Sequence, residues 1–228
     1  MNNKYEFTKE TKKHFGKTLH RIKALISFGR VSAGDLGGWI EKEDNLSQDG
    51  NAWVYGDAWV FGNASVYGNA RVYGDASVFG NARVYGNAEV YGDAEVFGNA
   101  RVYGDAEVYG NAEVFGNARV YGDAWVFGNA SVYGNASVFG NARVFGDAEV
   151  YGDNHLMWIS KIGSRCDTIT FMRSKELKII VAVGCFRGTI DEFEKKVKET
   201  HGDNEHAQAY FLAIQLAKLR IDLTEKEK

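Results

Sequence analysis

The sequence predicts a mainly β protein: a three-sided parallel β-helix of hexapeptide repeats, with an N-terminal cap and a C-terminal α+β domain. Three observations carry this. Between Asn51 and Asp153 one phrase, Asn/Asp-Ala-x-Val-Tyr/Phe-Gly, occurs seventeen times without an insertion. Within it Ala and Val never vary, while the residue between them is Trp, Ser, Arg or Glu. The aromatic position then gives the number of sides: Phe61, Phe79, Phe97 and Phe115 recur every eighteen residues, three phrases apart, with Tyr at the other positions as far as Tyr109. A fixed short period over this length marks a solenoid, in which no single unit buries a core and each stacks on the next.

Residues 1–50 answer a problem the column creates. The first coil of a solenoid exposes unpaired backbone groups and an apolar end unless something covers it. Tyr5 to Thr8 and Thr18 to Ile26 read as short strands, the second with Leu19, Ile22 and Leu25 as its apolar members. From Gly34 the chain slides toward the repeat, with Ile40 and Leu46 six apart and a two-residue slip before Val54. Residues 1–30 hold eight Lys/Arg against two acids. The preferred reading is a cap whose cations sit over an acidic column; a nucleic-acid surface is the alternative.

Residues 51–153 form the column. In Ala52-Trp53-Val54 the flanking residues share one face of a strand and the middle residue takes the other, so Ala and Val point inward and the variable position points to solvent. Gly followed by Asn or Asp tolerates the backbone of a tight corner. At a strand spacing of roughly 4.8 Å, nearly six coils make a column about 28 Å tall. A prism filled by Val and Ala has no room for seventeen rings, so the aromatics belong outside, near the corners. Sorting the outward residues by eighteen gives three faces: Ser65, Arg83, Arg101, Arg119 and Ser137; then Trp59, Ser77, Glu95, Glu113, Ser131 and Glu149; then Trp53, Arg71, Glu89, Glu107, Trp125 and Arg143. Like charges stacked along a ladder repel. The candidate binding or interface residues are therefore Arg83, Arg101, Arg119, Glu95 and Glu113, with Trp53, Trp59 and Trp125; the alternative is a solvated surface. The column carries five Arg against twelve acids, and the chain as a whole a formal charge of -3.

Residues 154–228 read as an α+β domain of ββ(β)αα order. Leu156 to Ile162, Asp167 to Arg173 and Leu177 to Phe186 are the expected strands. Thr189 with Glu192 forms a capping-box pattern that opens a helix to about Thr200. A second helix runs from about Glu205 to Leu219. The tract from His201 to His206 has the residue types of a metal site, but a helix end at Gly202 and a cap at Asp203 or Asn204 explain it better, and no metal or cofactor is expected. Cys166 and Cys185 are read as free thiols, with a cross-strand pair as the alternative. No apolar run is long enough to span a membrane and Met1 to Glu10 is too charged for a signal peptide, so a soluble cytoplasmic protein, the host's cytoplasm if phage-encoded, is expected.

The phrase, with its aliphatic and small residues four apart as in Val54 and Ala58, resembles the hexapeptide-repeat family. The resemblance implies a left-handed parallel β-helix and a trimeric, LpxA-like architecture. Where that family has a small or acidic residue after the aliphatic one, this chain has Tyr or Phe. Together with GDLGGWIEKEDNLSQ and GCFRGTIDEFEKKVKETHGDN, the repeats resemble uncharacterised hexapeptide-repeat proteins encoded in phages and prophages of Gram-positive bacteria. Many hexapeptide proteins are acyltransferases with a histidine base, but the column has no interrupting loop and no His; only His155, just past the last coil, is placed for that role. The expected function is thus a non-catalytic binding or inhibitor protein, a homotrimeric rod presented to a protein partner and plausible in anti-defence. The alternatives are a sponge for an anionic nucleotide signal at subunit grooves, and an acyltransferase using His155.

Overall fold

The computed structural model describes residues 3–224. Seventeen short strands, from Trp53–Val54 to Glu149–Val150, stack in three parallel ladders. Each pairs in register with the strand eighteen residues on, as Arg101 does with Arg119 and Val102 with Val120. The three faces sorted from the period of eighteen are the three sheets. Arg83 N donates to the Ala100 carbonyl at 2.9 Å and Tyr85 N to the Val102 carbonyl at 3.0 Å, so both inward residues of a phrase anchor the coil before it. The in/out assignment follows: every repeat Val is 0% exposed and every repeat Ala at most 1%.

The rings lie outside, as expected, yet they are not left in water. Tyr67 and Tyr85 stack with centroids 4.8 Å apart and planes 3° apart, and Phe79 and Phe97 do so at 4.9 Å and 1°. The strand spacing imposes this distance, and it falls in the range of offset stacking. Most rings are half-buried by the ring above and below. The corners need glycine for two reasons, seen at Gly92: its φ is +70°, and an added Cβ would lie 2.9 Å from the Gly110 nitrogen.

Below the column, strand β1 (Tyr5–His14) and strand β2 (Lys17–Ala24) form an antiparallel hairpin that continues through strand β3 (Leu36–Ile40) into the ladder of Trp59. Both hairpin strands differ from the expected spans. β1 continues through the polar run Lys9 to Lys13 because β2 supplies its hydrogen bonds, and its outer edge carries the lysines that discourage further pairing. Leu25 lies past β2 and is exposed. Ile40 pairs with Val60 and Leu46 with Val66, each twenty residues on, which is the two-residue slip. Asn45, fully buried, holds this junction: its Nδ2 donates to the Gly62 and Ala64 carbonyls at 3.1 and 2.8 Å.

Above the column, the segment Asp153–His155 ends the last coil, and a four-stranded antiparallel sheet follows (Leu156–Ile162, Asp167–Arg173, Ile179–Val183, Phe186–Thr189). The single strand expected over Leu177 to Phe186 is a hairpin instead, because Gly184 at φ +53° turns the chain. The sheet closes the prism: Leu156, Met172 and Ala182 join the Val/Ala core. Its other side packs on helix α1 (Ile190–His201), opened by the Thr189/Glu192 capping box, and helix α2 (Glu205–Arg220), whose cap Asn204 accepts from Ala207 N. Gly202 ends α1, so the His201 to His206 tract is a helix junction. Both cysteines are free and exposed.

Candidate functional site

Of the seventeen outward positions of the column, five are exposed: Arg83, Arg101 and Arg119 on one face, Glu95 and Glu113 on the next. The other twelve are at least half-covered, and the reason is local. On the third face Arg71 pairs with Glu89, Tyr73 donates to the other Glu89 oxygen at 2.6 Å, and Tyr91 donates to Glu107 at 2.8 Å. Burial first, and then the bond to a carboxylate, hold both phenols well above their ordinary range. The charges there are thus largely met within the chain. By contrast, among the described residues Arg83, Arg101, Arg119, Glu95 and Glu113 take part in no ion pair. The arginine ladder lies beside the stack Tyr67, Tyr85, Tyr103 and Tyr121. Between the two charged faces, Asn63, Asn81, Asn99 and Asn117 form a ladder of side-chain amides at 3.1–3.2 Å.

The tryptophans separate from this set. Trp53 is 1% exposed, so it is not a binding residue: no repeat lies beneath it, and Tyr5 and Phe28 fill that place edge-on at 6.1 and 5.4 Å. Trp59 is half-covered by the His14 ring at 3.7 Å from the hairpin. Trp125 is only partly covered on the third face, with the Arg143 guanidinium 4.7 Å over its ring. The N-terminal cations behave partly as a cap over acids, since Lys12 reaches Asp57 at 2.9 Å. Lys4 was not legible as a site of any kind: it is buried, and its ammonium donates to the Ala52 carbonyl at 3.0 Å.

His155 is 2% exposed, lies 3.9 Å from the Tyr151 ring, and accepts from Tyr151 N at Nδ1. It is a closing residue of the last coil and does not face a groove. Beside it the buried Arg173 bonds Glu149 at 2.6 Å. Burial, and then the Arg173 charge, lower the His155 pKa below its ordinary 6.5. The unfolded chain therefore takes up a proton near that pH that the folded chain refuses. Stability from His155 is full above about pH 6.5 and is lost as pH falls through the folded pKa. Between pH 7 and 5, melting temperature should fall more for the wild type than for His155→Gln; parallel curves would refute this coupling.

Among the described residues no group of three or more His, Cys, Asp or Glu could hold a metal ion, and no helix is long and apolar enough to cross a membrane. The fold and its outer faces define the class: a β-solenoid protein built of hexapeptide coils. The YdcK β-solenoid repeat family matches residues 64–80 and 112–128. A curated relative, the uncharacterized acetyltransferase YdcK of Escherichia coli (strain K12), is 49% identical over 37 residues, 16% of this chain and 11% of the relative. The chain spans about a tenth of that relative's length, and the likeness is one of repeat.

Proposed function

We propose that the chain is a non-catalytic binding protein that assembles as a closed trimer and offers the rod to a macromolecular partner. The observation that carries this is the segregation of the exposed charges, three Arg on one face and two Glu on its neighbour. Because the two faces differ, a contact between them is heterologous, and around a prism of three sides a threefold ring closes it. About an axis parallel to the column heights are kept. Arg101 follows Glu95 by one phrase, a third of a coil, so it stands roughly 1.6 Å higher at the strand spacing, within reach of Glu95 of a second copy. The third face, with Trp125, Arg143 and the Tyr73 stack, then remains outward for the partner. Anti-defence is the setting suggested by the resemblance to phage proteins. A tagged wild-type chain should retain one protein in stoichiometric amount through purification from its host, and Trp125→Ala with Arg143→Ala should lose it; identical retention would defeat the assignment of this face.

Two other readings each have a supporting observation. A groove of about 590 Å³ lined by Arg30, Tyr55, Arg71, Tyr73 and Glu89 suits an anionic nucleotide, although Arg71 is already engaged by Glu89. The name of the relative favours acetyl transfer. Against it, the column has no His, and His155 is buried. The protein should release no thiol from an acetyl thioester above background; release that disappears in His155→Ala would establish the enzyme reading.

A further inference from the structure

The C-terminal unit contains a cavity unrelated to the column. It opens between the turn before Asp167, the Gly184–Cys185 hairpin and the helices α1 and α2, and its volume is about 480 Å³, the size of small-molecule sites. Its walls are apolar: Val183, Phe186, Phe193, Val197 and Tyr210. They are also fixed. Phe193 lies 5.1 Å from Phe186 and edge-on at 5.3 Å to Tyr210. Tyr210 is held so closely over Gly163 that no side chain fits there. Arg187 donates to the Gly184 and Phe186 carbonyls at 2.9 and 2.6 Å and so holds the hairpin side.

The mouth is charged. Arg165 and Lys196 stand at it, exposed, with Ser164 and Thr200. Three other cations of this unit are closely paired, Lys178 to Glu176 at 2.7 Å, Lys218 to Glu194 at 2.9 Å and Arg173 to Glu149 at 2.6 Å. Among the described residues Arg165 has no ion pair, and Lys196 has only a 3.8 Å contact with Glu199 on its own helix. One carboxylate, Asp167, lines the cavity, with Oδ1 accepting from Thr168 N, and the His201 ring lines it 5.8 Å from Tyr210. Two cations against one carboxylate favour a ligand of single negative charge, because a second charge would meet Asp167.

We propose that this cavity binds a small amphipathic monocarboxylate, with its acyl or aryl group on Phe186, Phe193 and Tyr210 and its carboxylate held by Arg165 and Lys196. The assignment is independent of the trimer and of the column. Cys185 lines the cavity and is exposed, whereas Cys166 is exposed but does not line it. The two thiols therefore report on occupancy within one molecule. The full-length protein is alkylated with iodoacetamide in the presence of octanoate, octan-1-ol or neither, and the rate at each cysteine is read by peptide mass spectrometry. Octanoate should slow Cys185 several-fold and leave Cys166 unchanged, with octan-1-ol much less effective. In Arg165→Gln with Lys196→Gln, both surface changes, the octanoate needed should rise by roughly tenfold or more, as loss of charge-assisted bonds implies. No protection at millimolar octanoate, equal protection by octan-1-ol, equal slowing of both thiols, or an unchanged requirement in the double variant would each overturn the proposal.

Discussion

Val96→Asp should melt far below the wild type, while Glu95→Ser, one residue away, should melt with it. Val96 is 0% exposed and lies between Val78 and Val114 of the neighbouring coils. A carboxylate there would be buried among Val and Ala, away from solvent and with no cation to pair it. The cost of burying such a group falls among the large single-site effects, about 4 kcal/mol. For a chain of this size that is a fall in Tm of roughly 8–16 °C. Glu95 is exposed and unpaired, so its removal should change Tm by no more than about 2 °C, and relief of its stacking on Glu113 offsets part of any loss. Equal melting temperatures for the two variants would reverse the assignment of inside and outside.

The second large effect concerns assembly. Arg83, Arg101 and Arg119 all changed to Glu should leave a folded monomer of 25.3 kDa, where the wild type should scatter light as about three times that mass. The three reversals convert attraction across the proposed contact into repulsion from Glu95 and Glu113. Adding Glu95→Arg and Glu113→Arg to the triple variant should restore the trimer, which separates a charge effect from general damage. Salt alone should not dissociate the wild type, because in the proposed trimer the stacked rings would contribute most of the affinity and the charges mainly select the pairing. A wild type of about 25 kDa, or a triple variant that stays trimeric, would defeat the trimer.

How much of this was legible in the sequence depended on periodicity. Within the column one rule repeats, so the period of eighteen in the Phe positions was enough to assign the sides of the first four coils; past Tyr121, where Phe127, Phe139 and Phe145 enter the other two columns, only the unbroken phrase carries the register on. The slip at Ile40 and Leu46 was legible because those residues keep half of the rule. Outside it, each side chain has its own surroundings. Trp53 looked like every other outward residue of the phrase, and only the missing coil beneath it, filled by Tyr5 and Phe28, explains its burial. Only the start of β1, Tyr5 to Thr8, was legible, because its continuation from Lys9 to His14 is polar and has no apolar alternation to reveal it. The unpaired state of Arg83, Arg101 and Arg119 could be anticipated from charge sorting, since their ladder holds one sign only; in the mixed ladder the pairing of Arg71 with Glu89 depends on side-chain reach, which the sorting does not give. The C-terminal cavity had no sequence signal, being assembled from two turns and two helices.

The caps at both ends have a consequence for how such a chain can change length. The N-terminal hairpin joins the ladder of Trp59 and Glu149, and at the far end the C-terminal sheet engages the same ladder through Ala148 and Ser174 and its neighbour through Arg143 and Thr170. Each terminal unit is thus docked to particular sides of the prism. Gain or loss of one phrase would swing one end by a third of a turn against the other and present the wrong sides to it. Three phrases together would only raise or lower it by one storey. Recombination among near-identical phrases should therefore survive in multiples of eighteen residues, so that the rod can be lengthened or shortened in whole turns while its ends keep their phase.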